Sequence, residues 1–216
     1  MLLGGLLGAG MIGGGVWVST LFRSGPDRFS IENGTGGRVT GEVAGRWTVS
    51  PASQAGYRVE KQLMGRTVEV VGRGPVGEGW MAATEREVFA GEFVVELAGL
   101  RTDNPQRDSA FRGRIMETET WPEARFTLTQ PVDLTLRGRD GVLRGELVGE
   151  LEMRGRRRET VFAYEARLEG GVISIVARTT AAFADWGISN PSQPGVIVKE
   201  SAELEVQLEL RRQSST

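Results

Sequence analysis

Leu204, Val206, Leu208 and Leu210 alternate with Glu203, Glu205, Gln207 and Glu209. A period of two is what a β-strand needs when one face is apolar and the other meets water. The same period recurs along the chain. Phe93, Val95 and Leu97 alternate with Glu92, Val94 and Glu96, and Phe162, Tyr164, Ala166 and Leu168 with Val161, Ala163, Glu165 and Arg167. Leu147, Leu151 and Met153 do so against Glu146, Glu150 and Glu152, and Phe126 and Leu128 against Arg125, Thr127 and Thr129. Arg139-Asp140-Gly141, Gly155 and Glu169-Gly170-Gly171 punctuate these runs, the last as a hairpin turn. About eight or nine mostly antiparallel strands without a long helix predict an all-β domain. A barrel is favoured over a sandwich because closure leaves no free edge, and about eight strands can enclose one small ligand.

One stretch breaks the alternation. Asn104 precedes Pro105 as a cap precedes a first-turn residue, and good helix formers follow as far as Thr118, so one or two helical turns are predicted before Pro122. This stretch and its approach carry Asp103, Arg107, Asp108, Arg112 and Arg114, with Arg107 in helical reach of Asp103. Two readings stay open. The charges pair locally in a solvated cap, or the guanidinium groups receive an anion at the mouth of the barrel.

The chain of 216 residues is long enough for one domain plus an N-terminal appendage. Its 26 basic and 28 acidic residues are interspersed, so no broad basic face exists for nucleic acid, which is not expected as a partner. Absent residue types exclude more. Without cysteine there is no disulfide, thiolate nucleophile or cysteine-held metal, and without histidine there is no Ser-His-Asp triad and no histidine-held zinc. Neither a DxDxDG calcium loop nor a GxxxxGK[ST] phosphate loop occurs. Asp103 and Asp108 are candidate paired carboxylates, but nothing places a substrate between them. The expectation is therefore no catalytic residue, no metal and no cofactor.

Residues 1–22 contain no charge and seven glycines, and as a helix would run about 33 Å, enough to cross a bilayer. They are read as an uncleaved membrane anchor, since no A-x-A cleavage site follows and no charged n-region precedes. Arg23 and Arg28 argue for a cytoplasmic domain by the positive-inside rule. A start codon chosen too far downstream would remove the opposing basic residues, and the orientation adopted is extracytoplasmic, at the cell envelope. Residues 23–45, rich in glycine, read as a polar linker, and the folded domain is expected over 46–212.

RTDNPQRDSAFRGRIMETETWPEARFTLT, residues 101–129, resembles the signature of the YceI-like family of lipocalin-like polyisoprenoid-binding proteins. The matching features are Arg107-Asp108, then Trp121-Pro122 ahead of a strand containing Phe126. RWTVSPASQAGYRVEKQL resembles the family's opening strand pair, GELVGELEMRGRRRETVF its strand-turn-strand and FADWGISNP its late bend. Gly56 to Val59, with VGRGPVGEGW after it, is most similar to members whose domain follows a membrane segment. The chain departs from the pattern where Ile115-Met116 replaces an aromatic pair, and in having no histidine in the first strand region.

The resemblance implies a lipocalin-like antiparallel barrel with a short helical segment near 105–118, preceded by the membrane helix. It also implies an interior that takes a long apolar lipid, an isoprenoid or fatty-acyl chain. Candidate cavity residues are Tyr57, Val59, Trp80, Phe93, Val95, Phe126, Leu128, Phe162, Tyr164, Phe183, Trp186, Val206 and Leu208. Asp103, Arg107 and Asp108 would form a barrel cap. The expected partners are the lipid, the membrane through residues 1–22, and a second copy of the chain. The function expected is non-catalytic sequestration or transport; the alternative is a filled barrel acting as an interaction module.

Overall fold

The computed structural model describes residues 25–31, 42–135 and 141–213. Twelve strands form one antiparallel sheet: β1 (Gly45–Val49), β2 (Gln54–Leu63), β3 (Arg66–Pro75), β4 (Glu78–Ala83), β5 (Glu87–Glu96), β6 (Glu123–Leu128), β7 (Val132–Asp133), β8 (Leu143–Met153), β9 (Arg156–Glu169), β10 (Val172–Ala182), β11 (Val196–Val198) and β12 (Ser201–Arg212). Eight of them close a ring, β1–β4–β5–β6–β8–β9–β10–β12, with β12 returning to β1. Closure follows from the length of β12. Its Leu210, Arg211 and Arg212 pair with Val49, Thr48 and Trp47 of β1, while its first half, Glu203 to Gln207, pairs with β2.

The chain bends between β1 and β2 at a corner held by a buried serine. The Ser53 hydroxyl donates to the Glu209 carbonyl at 3.2 Å and accepts from the Glu209 amide at 3.0 Å. β3 and β4 are likewise one strand bent at Val76 and Gly77, whose amides reach Ser53 and Val94 carbonyls. The β2–β3 hairpin thus extends the wall beyond the ring. At the β9–β10 hairpin, Gly170 and Gly171 both have positive φ, 57° and 77°, which is the type I′ geometry that matches strand twist and that glycine adopts without strain.

Between β5 and β6 the chain leaves the sheet for helix α1 (Pro105–Ala110) and a single wide turn through Ile115. Asn104 caps α1, its side chain accepting from the amides of Gln106 at 2.9 Å and Arg107 at 3.1 Å. Apolar residues of this excursion, Leu97, Leu100, Phe111 and Met116, pack with Leu151, Met153, Phe183 and Trp186 over one end of the barrel. A second core of Trp47, Met81, Leu143, Ile173, Leu208 and Leu210 gathers at the other end.

Residues 25–31 belong to the stretch read from sequence as a linker, and they lie across the outer face of β3, β2, β12 and β10. The Pro26 carbonyl accepts from Arg58 at 2.6 Å, the Asp27 carbonyl from Arg73 and the Phe29 carbonyl from Arg178. The Arg73 guanidinium stacks 3.9 Å from the centre of the Phe29 ring. Arg28 bridges to Glu203 at 2.9 Å and Glu69 at 3.1 Å. Beneath this belt Glu205, with a side chain that is 0% exposed, pairs with Arg58 at 3.0 Å and Arg73 at 2.9 Å. The expected membrane segment, residues 1–22, lies outside the described residues. Among the described residues no helix is long and apolar enough to cross a membrane.

Candidate functional site

The barrel interior holds two chambers. The larger, about 570 Å³, lies under α1 and is walled by Tyr57, Val59, Val95, Phe111, Met153, Phe183 and Trp186 among others. The smaller, about 140 Å³, occupies the other end, among Met81, Leu128, Leu143, Leu147, Tyr164 and Ile175. Phe93, Phe126, Phe162, Val206 and Leu208 line both.

An open lumen inside so aromatic a barrel has a local cause, which is a glycine beside each of four cavity rings. Tyr57 pairs directly with Gly72, Phe93 with Gly79 and Tyr164 with Gly145. A Cβ built on Gly72 would come 2.4 Å from the Tyr57 ring, one on Gly79 2.5 Å from Phe93, and one on Gly145 3.2 Å from Tyr164. Phe126 lies over Gly149 diagonally, 2.4 Å from where that Cβ would be. Covering a strand glycine with an aromatic ring protects exposed backbone. Here it also lays the rings along the wall instead of across the axis.

The charged residues at α1 divide between pinning the loop and facing the larger chamber. Asp108 is buried and accepts from the Thr102 amide at 2.9 Å and the Thr102 hydroxyl at 2.7 Å, which ties the loop before α1 to the helix. Arg107 pairs with Asp103 at 2.5 Å and borders the larger chamber. Phe111 stacks on Tyr57, ring centres 4.9 Å apart and 6° from parallel. Lys61 continues the inward row of Ala55, Tyr57 and Val59 on β2, and with Arg107, Arg114, Gln106 and Gln193 gives the chamber a polar rim. Burial, and then the Arg107 guanidinium, hold the Lys61 amine below its usual range, against the pull of Asp103. Burial pushes the Tyr57 hydroxyl well above its ordinary value, with the Asp108 carboxylate adding to it and Arg107 opposing. The Tyr164 hydroxyl rises to about 12 for the same first reason, with a further push from Asp133.

The structure places Tyr57, Val59, Val95, Phe183 and Trp186 on the larger chamber and Leu128 and Tyr164 on the smaller. Phe93, Phe126, Phe162, Val206 and Leu208 lie between the two. Trp80 is a correction. On β4 the inward position is Met81, 4% exposed, so Trp80 faces outward, where the Arg46 guanidinium covers its ring at 3.8 Å. Alternation from Met81 decides the face. Sequence reasoning missed Lys61 and Phe111. Parity from Tyr57 would have found Lys61; no sequence signal pairs Phe111 with Tyr57, because that contact joins a helix to a distant strand. Among the described residues no cluster of acidic side chains could hold a metal ion.

No curated protein matches the chain in sequence. Its fold is similar to that of a polyisoprenoid binding domain from Saccharophagus degradans implicated in plant cell wall breakdown, with a TM-score of 0.60 and 16% identity over 79% of this chain and 99% of that one. It is similar also to Burkholderia cenocepacia BcnA, with a TM-score of 0.54 and 12% identity over 74% of this chain and 98% of that one. The family model for the YceI-like domain matches residues 47–210, from the first strand of the ring to the last, and the chain therefore belongs to the YceI-like family, a non-catalytic binding fold.

Proposed function

We propose that the larger chamber holds the hydrocarbon chain of an isoprenoid-type lipid, a polyprenyl or quinone-type tail, which the domain sequesters or carries without altering it. The observation that carries this reading is the apolar chamber of about 570 Å³, with its polar residues gathered at the α1 rim. Removing apolar surface from water contributes roughly 25 cal/mol per Å², so a lined tunnel holds a long chain with little polar help. The family and the polyisoprenoid binding neighbour support the same ligand class. Lys61, Arg107 and Arg114 would meet the polar end of the lipid.

We place the domain outside the cytoplasm, tethered through residues 1–22, on the strength of that uncharged stretch. Protease accessibility in intact cells or spheroplasts tests the side; digestion only after lysis would overturn it. The binding reading is tested by expressing residues 23–216 in a host rich in polyprenyl lipids and analysing what the purified protein releases. A stoichiometric isoprenoid or acyl species supports the carrier. An empty protein that also rejects lipids offered in vitro would overturn it, in favour of an interaction module. Native mass spectra read stoichiometry and association of two copies together.

A further inference from the structure

Phe93, Phe126 and Phe162 come from β5, β6 and β9, three strands separated in the ring only by β8. At the point where β8 passes between Phe126 and Phe162 its inward residue is Gly149. The missing side chain lets Phe126 sit over Gly149 and meet Phe162 edge to face, ring centres 5.1 Å apart at 75°. Val206 and Leu208 belong to β12, which stands opposite β6 in the ring of eight. All five border the larger chamber on one side and the smaller on the other.

We propose that the Phe126–Phe162 pair is a length gauge: it ends the space open to a bound chain and so sets the longest tail that the larger chamber accepts whole. This rests on the reading of the barrel as a carrier of apolar chains. A tail that stops short of the pair buries every added unit. A tail that reaches it must displace a ring, losing the edge-to-face contact, or leave its end in water. Beyond the pair, the smaller chamber is apolar but separate, and displacing the Phe162 ring would join the two.

The test uses delipidated protein and one chemical series, farnesol, geranylgeraniol and solanesol, with binding read by native mass spectrometry and tryptophan fluorescence. In the wild type, affinity rises by about tenfold or more for each isoprene unit that finds apolar wall, then stops rising at one length. Phe162→Ala is expected to move that limit to a longer alcohol. Phe162→Leu removes the ring but keeps apolar volume, shows a smaller shift, and carries the test if Phe162→Ala is unfolded by circular dichroism. Phe89→Ala, on the outer face and 52% exposed, should leave the limit where it was. If the wild type and both Phe162 variants bind the alcohols with the same limit, the gauge is wrong and the carrier reading stands. If the folded wild type binds none of them, the carrier reading falls and takes the gauge with it.

Discussion

Gly72 sits directly across from Tyr57 in the β2–β3 ladder, and a Cβ on it would come within 2.4 Å of the tyrosine ring. The ring is caught between that glycine and Phe111, which stacks on its other face at 4.9 Å. This sandwich holds α1 over the larger chamber while keeping Tyr57 out of the lumen.

Gly72→Val should therefore drive Tyr57 off the wall, break its stacking on Phe111 and fill part of the chamber. Overpacking of this kind costs about 1–3 kcal/mol. Urea denaturation should show that loss, and lipid released per folded protein should fall several-fold. Undiminished lipid capacity would mean that the wall glycine has no part in keeping the chamber open.

Asp108→Ala removes the acceptor for two Thr102 donors, the amide at 2.9 Å and the hydroxyl at 2.7 Å. The hydroxyl still reaches the Asn104 carbonyl at 3.2 Å, and leaving the partly buried amide unpaired costs about 1–3 kcal/mol. The melting temperature should drop, while the folded fraction retains its lipid capacity. Lost binding at unchanged stability would make Asp108 a ligand contact and not a loop pin.

Arg58 and Glu205 are the buried charges beneath the belt, their side chains 3% and 0% exposed. A buried charge left with no partner costs about 3–5 kcal/mol. Glu205 keeps Arg73 at 2.9 Å when Arg58 is removed, so the loss falls below that, whereas replacing both members of the pair with apolar residues of similar volume is closer to neutral. Arg58→Met should be destabilising for a second reason, since Arg58 also holds the Pro26 carbonyl. Adding Glu205→Leu should restore part of the loss. A double variant no more stable than the single one would show that the belt contacts outweigh the ion pair.

The two tyrosines, the only ones in the chain, are both buried against ionisation, Tyr57 and Tyr164 alike having raised pKa values. A raised tyrosine pKa favours the neutral folded form. Its contribution to stability is fully present below the unfolded value of 10.0 and is lost as pH rises through the folded values. Lys61 works the other way: its depressed pKa makes folding easier as pH rises from its folded value toward 10.5. Absorbance titration should show both phenols silent at pH 10 in the folded protein and ionising there in urea, and Tyr57→Phe should reduce the alkaline loss of stability. With no histidine, stability should stay nearly level from pH 6 to 8, and a step in that range would contradict this assignment.

The period-two rows of β5, β8, β9 and β12 made the barrel legible, because a strand buried on one face must write that face into every second residue. Together with the row of β6, they put Phe93, Phe126, Phe162, Val206 and Leu208 on the inward face. Asn104-Pro105 marked the start of α1 for an equally local reason, since capping involves only neighbouring residues. Alternation cannot tell a filled interior from an open one, and it says nothing of how far inward a ring reaches. Those features depend on which residues meet across strands: Gly72 under Tyr57, Gly149 under Phe126, Phe111 against Tyr57, and Gly25–Ile31 against four strands. Trp80 was expected inside but lies on the opposite face of β4 from the buried Met81. The sequence by itself determined that this chain forms antiparallel strands with one apolar face, because hydrophobic burial acts residue by residue. Only the tertiary structure decided that the barrel is hollow and divided in two, because void space is set by pairs of residues that the chain separates and the fold brings together.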